Sequence, residues 1–145
     1  MKELDNLVQA GRVHRTVYTD ENIFSVEQQK VFSETWVYLA HASEIKEPNS
    51  FVARKMGQRS VIVTRDKENK IHALLNRCTH RGATVCREKK GDKTPFFTCP
   101  YHGWTFRNTG ECAAIPHQDA YGEGLDKQQF NLKKVPFVSE YRGFI

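Results

Sequence analysis

The sequence predicts an all-β domain of small antiparallel sheets, preceded by an N-terminal arm and a helix. Three observations lead there. From Phe51 onward apolar and polar residues alternate in short runs, turn residues punctuate those runs, and the middle of the chain carries two short loops with one cysteine and one histidine each.

Residues 1–24 hold few apolar positions at a regular period and are expected to form an extended arm. Ser25, with Gln28 three residues on, has the pattern of a capping box that opens a helix. Val26, Lys30-Val31, Phe32, Thr35 and Trp36 then form a partial helical stripe, and Trp36, Tyr38 and Leu39 are expected in the core. This divides the chain into an arm and helix over 1–40 and a β domain over 41–145.

Strands are predicted over Phe51–Met56, Arg59–Arg65 and Lys70–Leu75, with turns at Gly57-Gln58 and Asp66–Asn69. This meander supports the first loop. A strand from Thr94 to Thr98 enters the second loop, and Trp104 to Phe106 leaves it toward a turn at Asn108–Gly110. Residues 113–131 are rich in Gly, Asp, Gln and His and read as irregular. Residues 133–145 read as a last strand that ends abruptly on apolar residues, as expected where a longer polypeptide has been cut.

Length and composition narrow the function classes. At 145 residues, 39% hydrophobic and 27% charged, the chain suits one globular domain with a modest core. No stretch approaches the roughly 20 apolar residues of a membrane span, and the polar start Met1 to Asn6 has no apolar signal region. The expected location is the cytoplasm, with no membrane partner. A net charge of +5 without a helix-turn-helix or an aromatic-interleaved basic stripe does not argue for nucleic acid.

The chemistry sits between Cys78 and His102. The first loop has Cys78-x-His80 and the second Cys99-x-x-His102, with 18 residues from 81 to 98 between them. Two thiolates and two imidazoles make one metal site. Structural zinc sites usually keep the cysteines in one knuckle and the histidines on a following helix. Here each knuckle is mixed, which suits a Rieske [2Fe-2S] centre: cysteines on one iron, histidines on the other. Gly82 and Gly103 let backbone pass where a Cβ would crowd the cluster. A zinc-stabilised binding module remains the competing reading.

Cys78 to Ala83, Cys-Thr-His-Arg-Gly-Ala, with Cys99 to Thr105, Cys-Pro-Tyr-His-Gly-Trp-Thr, resembles the Rieske domain of the large (α) subunit of bacterial aromatic ring-hydroxylating oxygenases. The resemblance continues through Trp36–His41, Glu44-Ile45, Arg59–Arg65 and Asn76, covering about residues 15–145. It implies an iron-sulfur-protein-type Rieske fold with Cys78, His80, Cys99 and His102 as cluster ligands, and a domain that carries electrons without binding the ring. It further implies a mononuclear Fe(II) in a catalytic domain that this chain lacks, a ferredoxin or NAD(P)H-dependent reductase as donor, and a homotrimer or α3β3 assembly. In such an assembly His102 would face an aspartate of a neighbouring α subunit's catalytic domain. The arginine-bearing first loop and Glu88–Gly91 look closest to members acting on aromatic carboxylates. A free-standing Rieske ferredoxin is the alternative.

Respiratory Rieske proteins carry a disulfide-forming cysteine in each loop, where this chain has Ala83 and Tyr101, and a serine where it has Trp104. Fewer donors to the sulfurs place the expected potential near about −150 mV.

The remaining groups have simpler readings. Cys86 and Cys112 are expected as buried free thiols. His14, His41, His72 and His117 lie in no ligand spacing, so no oxygen-activating site is expected within this chain. Arg81, Arg87, Lys89, Lys90 and Lys93 form either a solvated hairpin tip or a surface that steers an acidic donor protein. Trp104 and Tyr101 are expected to shield the cluster from water.

Overall fold

A computed structural model of the chain describes residues 6–122 and 124–145. The chain divides into two compact units, Met1–Val37 and Tyr38–Ile145.

In the first unit the described residues are not an extended arm. β1 (Val8–Gln9) pairs with β2 (Arg12–Val13) as a small antiparallel hairpin, followed by α1 (Thr16–Thr19) and α2 (Glu21–Lys30). Residues 1–5 of the expected arm lie outside the described residues. The helix begins five residues before the expected one: Asp20 is the N-cap, its Oδ1 accepting from the N–H groups of Asn22 (2.9 Å) and Ile23 (3.0 Å). An aspartate carries negative charge as well as an acceptor, which suits the positive end of the helix. Ser25 therefore lies inside α2. The helix stops at Lys30, so Val31 to Trp36 do not continue its stripe. Trp36 is 75% exposed and Tyr38 58%, against expectation, whereas Leu39 is buried.

The second unit is all-β, apart from 3-10 turns at Ala42–Glu44, Gln118–Tyr121 and Lys127–Phe130. β3 (Phe51–Met56), β4 (Arg59–Arg65), β5 (Ile71–Leu75) and β6 (Lys90–Gly91) form one antiparallel sheet in the order β5-β4-β3-β6. β7 (Phe96–Thr98), β8 (Thr105–Arg107) and β9 (Cys112–Ala114) form a second, in sequence order.

Alternation along β3 to β5 sorts the core onto two faces. Phe51, Ile62 and Leu74 pack with Phe97, Cys99, Trp104, Phe106 and Ile115. Val52, Val61, Val63 and Ala73 turn the other way, onto Leu39, Ala40, Ile45 and Ile145. The register pairs like with like, Ile62 opposite Leu74 and Val63 opposite both Val52 and Ala73.

The two sheets are joined at Asn108. Its backbone carbonyl accepts from Thr64 Oγ1 of β4 (2.7 Å) and its Nδ2 donates to Asn49 Oδ1 (2.9 Å). Residues 133–145 do not form the expected strand. Isolated bridges hold them instead, Leu74 with Lys134 and His41 with Phe144. Among the described residues no helix is long and apolar enough to cross a membrane.

Candidate metal centre

Two loops built to one backbone plan bring the four sequence-predicted residues together. In the first, which follows β5, Cys78 N–H donates to Ala83 O (2.8 Å) and Gly82 N–H donates back to Cys78 O (2.9 Å). In the second, which joins β7 to β8, Cys99 N–H donates to Trp104 O (2.7 Å) and Gly103 N–H to Cys99 O (3.0 Å). Each turn needs a residue four positions after its cysteine with φ in the left-handed region, +79° at Gly82 and +71° at Gly103. The glycines thus serve the turn itself, since a side chain at such φ costs about 1–2 kcal/mol. On this shared backbone plan the histidine stands two positions after the cysteine in the first loop and three after it in the second.

Like donors lie beside like. Cys78 and Cys99 are both buried. Burial pushes the Cys78 thiol above its ordinary 9.0, and the Cys99 thiol beside it adds to the rise, against the His80 and Arg81 N–H groups that favour the thiolate. The His80 and His102 rings stand 4.7 Å apart, tilted at 66°. His102 is exposed and His80 half-buried. Burial lowers the pKa of His80, helped by the charges of His102 and Arg81, so its neutral form is favoured. Its Nδ1 is buried without a hydrogen-bond partner among the described residues. An orphaned buried nitrogen on a neutral imidazole, beside a second imidazole and a pair of thiols, fits the donor set that a Rieske cluster requires. Among the described residues no three His, Cys, Asp or Glu side chains converge as ligands of a single ion. A lone tetrahedral zinc would need all four donors at one point, whereas an iron pair needs two and two.

Aromatic rings wall this group on two sides. Trp104 is buried and stacks flat on His80, ring centroids 4.7 Å apart at 6°. Tyr101 stacks on His102 at 3.9 Å but is 58% exposed, so it shields less than expected. The Arg81 guanidinium of the first loop lies 5.8 Å from the Tyr101 ring centroid of the second.

The other titratable groups have separate roles. Cys86 and Cys112 are buried free thiols, as expected. Burial pushes Cys86 up to about 11 and raises Cys112 as well, so neither offers a thiolate at neutral pH. His72 is buried and bonds Asp66 through Nε2 (2.7 Å). His41 caps a 3-10 turn and His14 accepts from Thr16. Arg81, Arg87, Lys89, Lys90 and Lys93 are exposed and form no ion pair among the described residues. Lys90-Gly91 is nonetheless sheet, paired with Val52 and Phe51. A two-residue charged strand leaves no alternation in the sequence.

Asn76 is the residue that sequence reasoning undervalued. Buried two positions before Cys78, it accepts at Oδ1 from the N–H groups of Val85 (3.1 Å) and Cys86 (2.8 Å) and donates from Nδ2 to Cys86 O (2.7 Å). It ties the exit of the first loop to its entrance. An asparagine before a ligand cysteine is the signal that could have pointed to it.

The chain is similar to known proteins along most of its length. The chain is 45% identical to the N,N-dimethyl phenylurea N-demethylase subunit alpha of Sphingobium sp. (strain YBL2) over 136 residues, 93% of this chain and 29% of that protein. It is 38% identical to the 2-halobenzoate 1,2-dioxygenase large subunit of Burkholderia cepacia, covering 92% of this chain and 29% of that one. The crystal structure of naphthalene 1,2-dioxygenase from Rhodococcus sp. bound to indole superimposes with a TM-score of 0.89 at 40% identity, covering 99% of this chain and 32% of that one. The chain therefore spans less than a third of the length of these relatives. Residues 35–136, which contain both loops, the paired thiols and the paired imidazoles, match the Rieske [2Fe-2S] domain, and the chain belongs to that family.

Proposed function

We propose that this domain is the electron-transfer part of an oxygenase large (α) subunit, with Cys78 and Cys99 holding one iron and His80 and His102 the other. The observation that carries the assignment is the sorting of donors into a buried thiol pair and an imidazole pair by two loops of one backbone plan. When bound, the cluster supplies a one-electron couple. The chain's residues bury its cysteine side, keep His80 neutral, and present the His102 ring at the surface where a partner's redox centre can approach.

The relatives' names supply the rest of the reading. One is the α subunit of an N-demethylase and another the large subunit of a 1,2-dioxygenase, and in this reading the longer polypeptide would add the mononuclear iron domain that oxygenates an aromatic substrate. The N-terminal segment over 1–40, which carries α2, and the Rieske domain over 41–145 would be its N-terminal portion. Electrons would arrive from NAD(P)H through a reductase or ferredoxin and pass to the iron of a neighbouring α subunit in a cytoplasmic trimer. A halobenzoate dioxygenase among the relatives favours an aromatic acid as substrate.

The test is metal and sulfide analysis beside EPR of the dithionite-reduced protein. Two irons, two sulfides and the low average g of mixed His/Cys ligation are expected, and Cys78→Ser or His80→Ala should abolish the signal. One zinc per chain and no colour would overturn the assignment.

A further inference from the structure

We infer that Trp104 is a positioning residue: it sets the ring plane of His80 and, with Phe130 and Thr79, locks the two ligand loops to each other. The inference rests on the assignment of His80 to the cluster.

His80 Nδ1, the nitrogen read above as a cluster donor, is buried without a hydrogen-bond partner among the described residues, so no hydrogen bond at that nitrogen sets the ring plane before or beside the metal bond. The restraint is instead the flat contact with Trp104, at 4.7 Å and 6°. Rotation about the last side-chain bond of an imidazole is otherwise soft, and a ligand histidine normally has a hydrogen bond to hold it. A stacked indole selects the plane without a hydrogen bond.

Trp104 can do this only if it is itself held. It is 2% exposed, with Phe130 edge-on at 5.3 Å and 89° and Tyr121 at 6.3 Å and 78°. Phe130 is tied back to the first loop, because Thr79 Oγ1 donates to its carbonyl at 2.6 Å. The Trp104 carbonyl meanwhile closes the second loop by accepting from Cys99 N–H at 2.7 Å. The contacts form a ring running from His80 to Trp104, Phe130, Thr79 and back to His80. The irregular stretch that brings in Tyr121 and Phe130 thus serves as a clamp across the two loops.

The test uses the full natural polypeptide purified with its cluster, with Trp104→Phe, Trp104→Leu and Thr79→Val compared by iron and sulfide content and by the histidine nitrogen couplings of the reduced cluster's magnetic resonance spectrum. Trp104→Phe keeps a ring on His80 and should keep wild-type couplings. Trp104→Leu keeps an apolar side chain but no ring, and should retain two irons per chain while one of the two sets of nitrogen couplings shifts. Thr79→Val frees Phe130 and should shift the same set by less. Unchanged couplings in both Trp104→Leu and Thr79→Val, or equal changes in both histidine sets, would overturn the inference. Should Trp104→Leu fail to fold, Thr79→Val decides alone. A wild-type protein without a cluster would instead sink the ligand assignment.

Discussion

Asn76 shows how much of the first loop depends on one carboxamide. Its two acceptor bonds and one donor bond satisfy three backbone groups of Val85 and Cys86, both buried. Truncation to alanine would leave those groups without partners in a place water does not reach. An unmet buried group costs about 1–3 kcal/mol, so Asn76→Ala is expected to lose about 2–4 kcal/mol in urea unfolding and to lower cluster retention. Asn76→Asp keeps the acceptor and loses the donor, and should fall between. At the same scale, Cys86, pushed up to about 11 by burial, should stay unmodified by a thiol reagent in the folded protein.

Among the elements, the β4–β5 turn carries a pH dependence that can be signed. Burial alone would raise the Asp66 carboxyl, but the His72 ring and the N–H groups of Lys70 and Glu68 outweigh it and hold it below its ordinary 3.8. The folded state therefore favours the carboxylate more than the unfolded state does. That stabilisation is full above the unfolded value of 3.8 and is lost as pH falls through the lower folded value. The stability gap between wild type and Asp66→Asn in chemical unfolding should be constant near neutrality and should shrink below about pH 3.8; a gap that does not vary with pH would refute the assignment. The strands on either side of this turn were legible in the sequence because alternation has no other cause here. The helix start was less so: Asp20 and Ser25 are both good caps, and only the chain's path shows that Asp20 takes the N–H groups of Asn22 and Ile23. The apolar run over 133–145 misled because period-two alternation also fits a tail pinned at isolated bridges.

Across the whole molecule the net charge is +5, and Arg87, Lys89, Lys90 and Lys93 are all exposed along one segment between the two loops. Such a surface raises the encounter rate of an acidic donor at low salt. Reversing Lys89 and Lys90 to Glu should slow reduction by the native donor several-fold at low ionic strength and flatten its salt dependence, in stopped-flow traces of cluster bleaching. Equal rates for variant and wild type would assign these lysines to solvation alone.

What the sequence determined by itself was the candidate donor set and the sheet: two Cys/His loops with their glycines, and strands whose alternation names both core faces. These are local properties, written in spacing and period. What only the tertiary structure decided was which donors meet, which imidazole is buried, and what holds each in place. Thr79 reaches Phe130 across 51 positions and Thr64 reaches Asn108 across 44. Contacts at such separations leave no period in a sequence, because the residues that make them are placed by the intervening fold rather than by their neighbours in the chain.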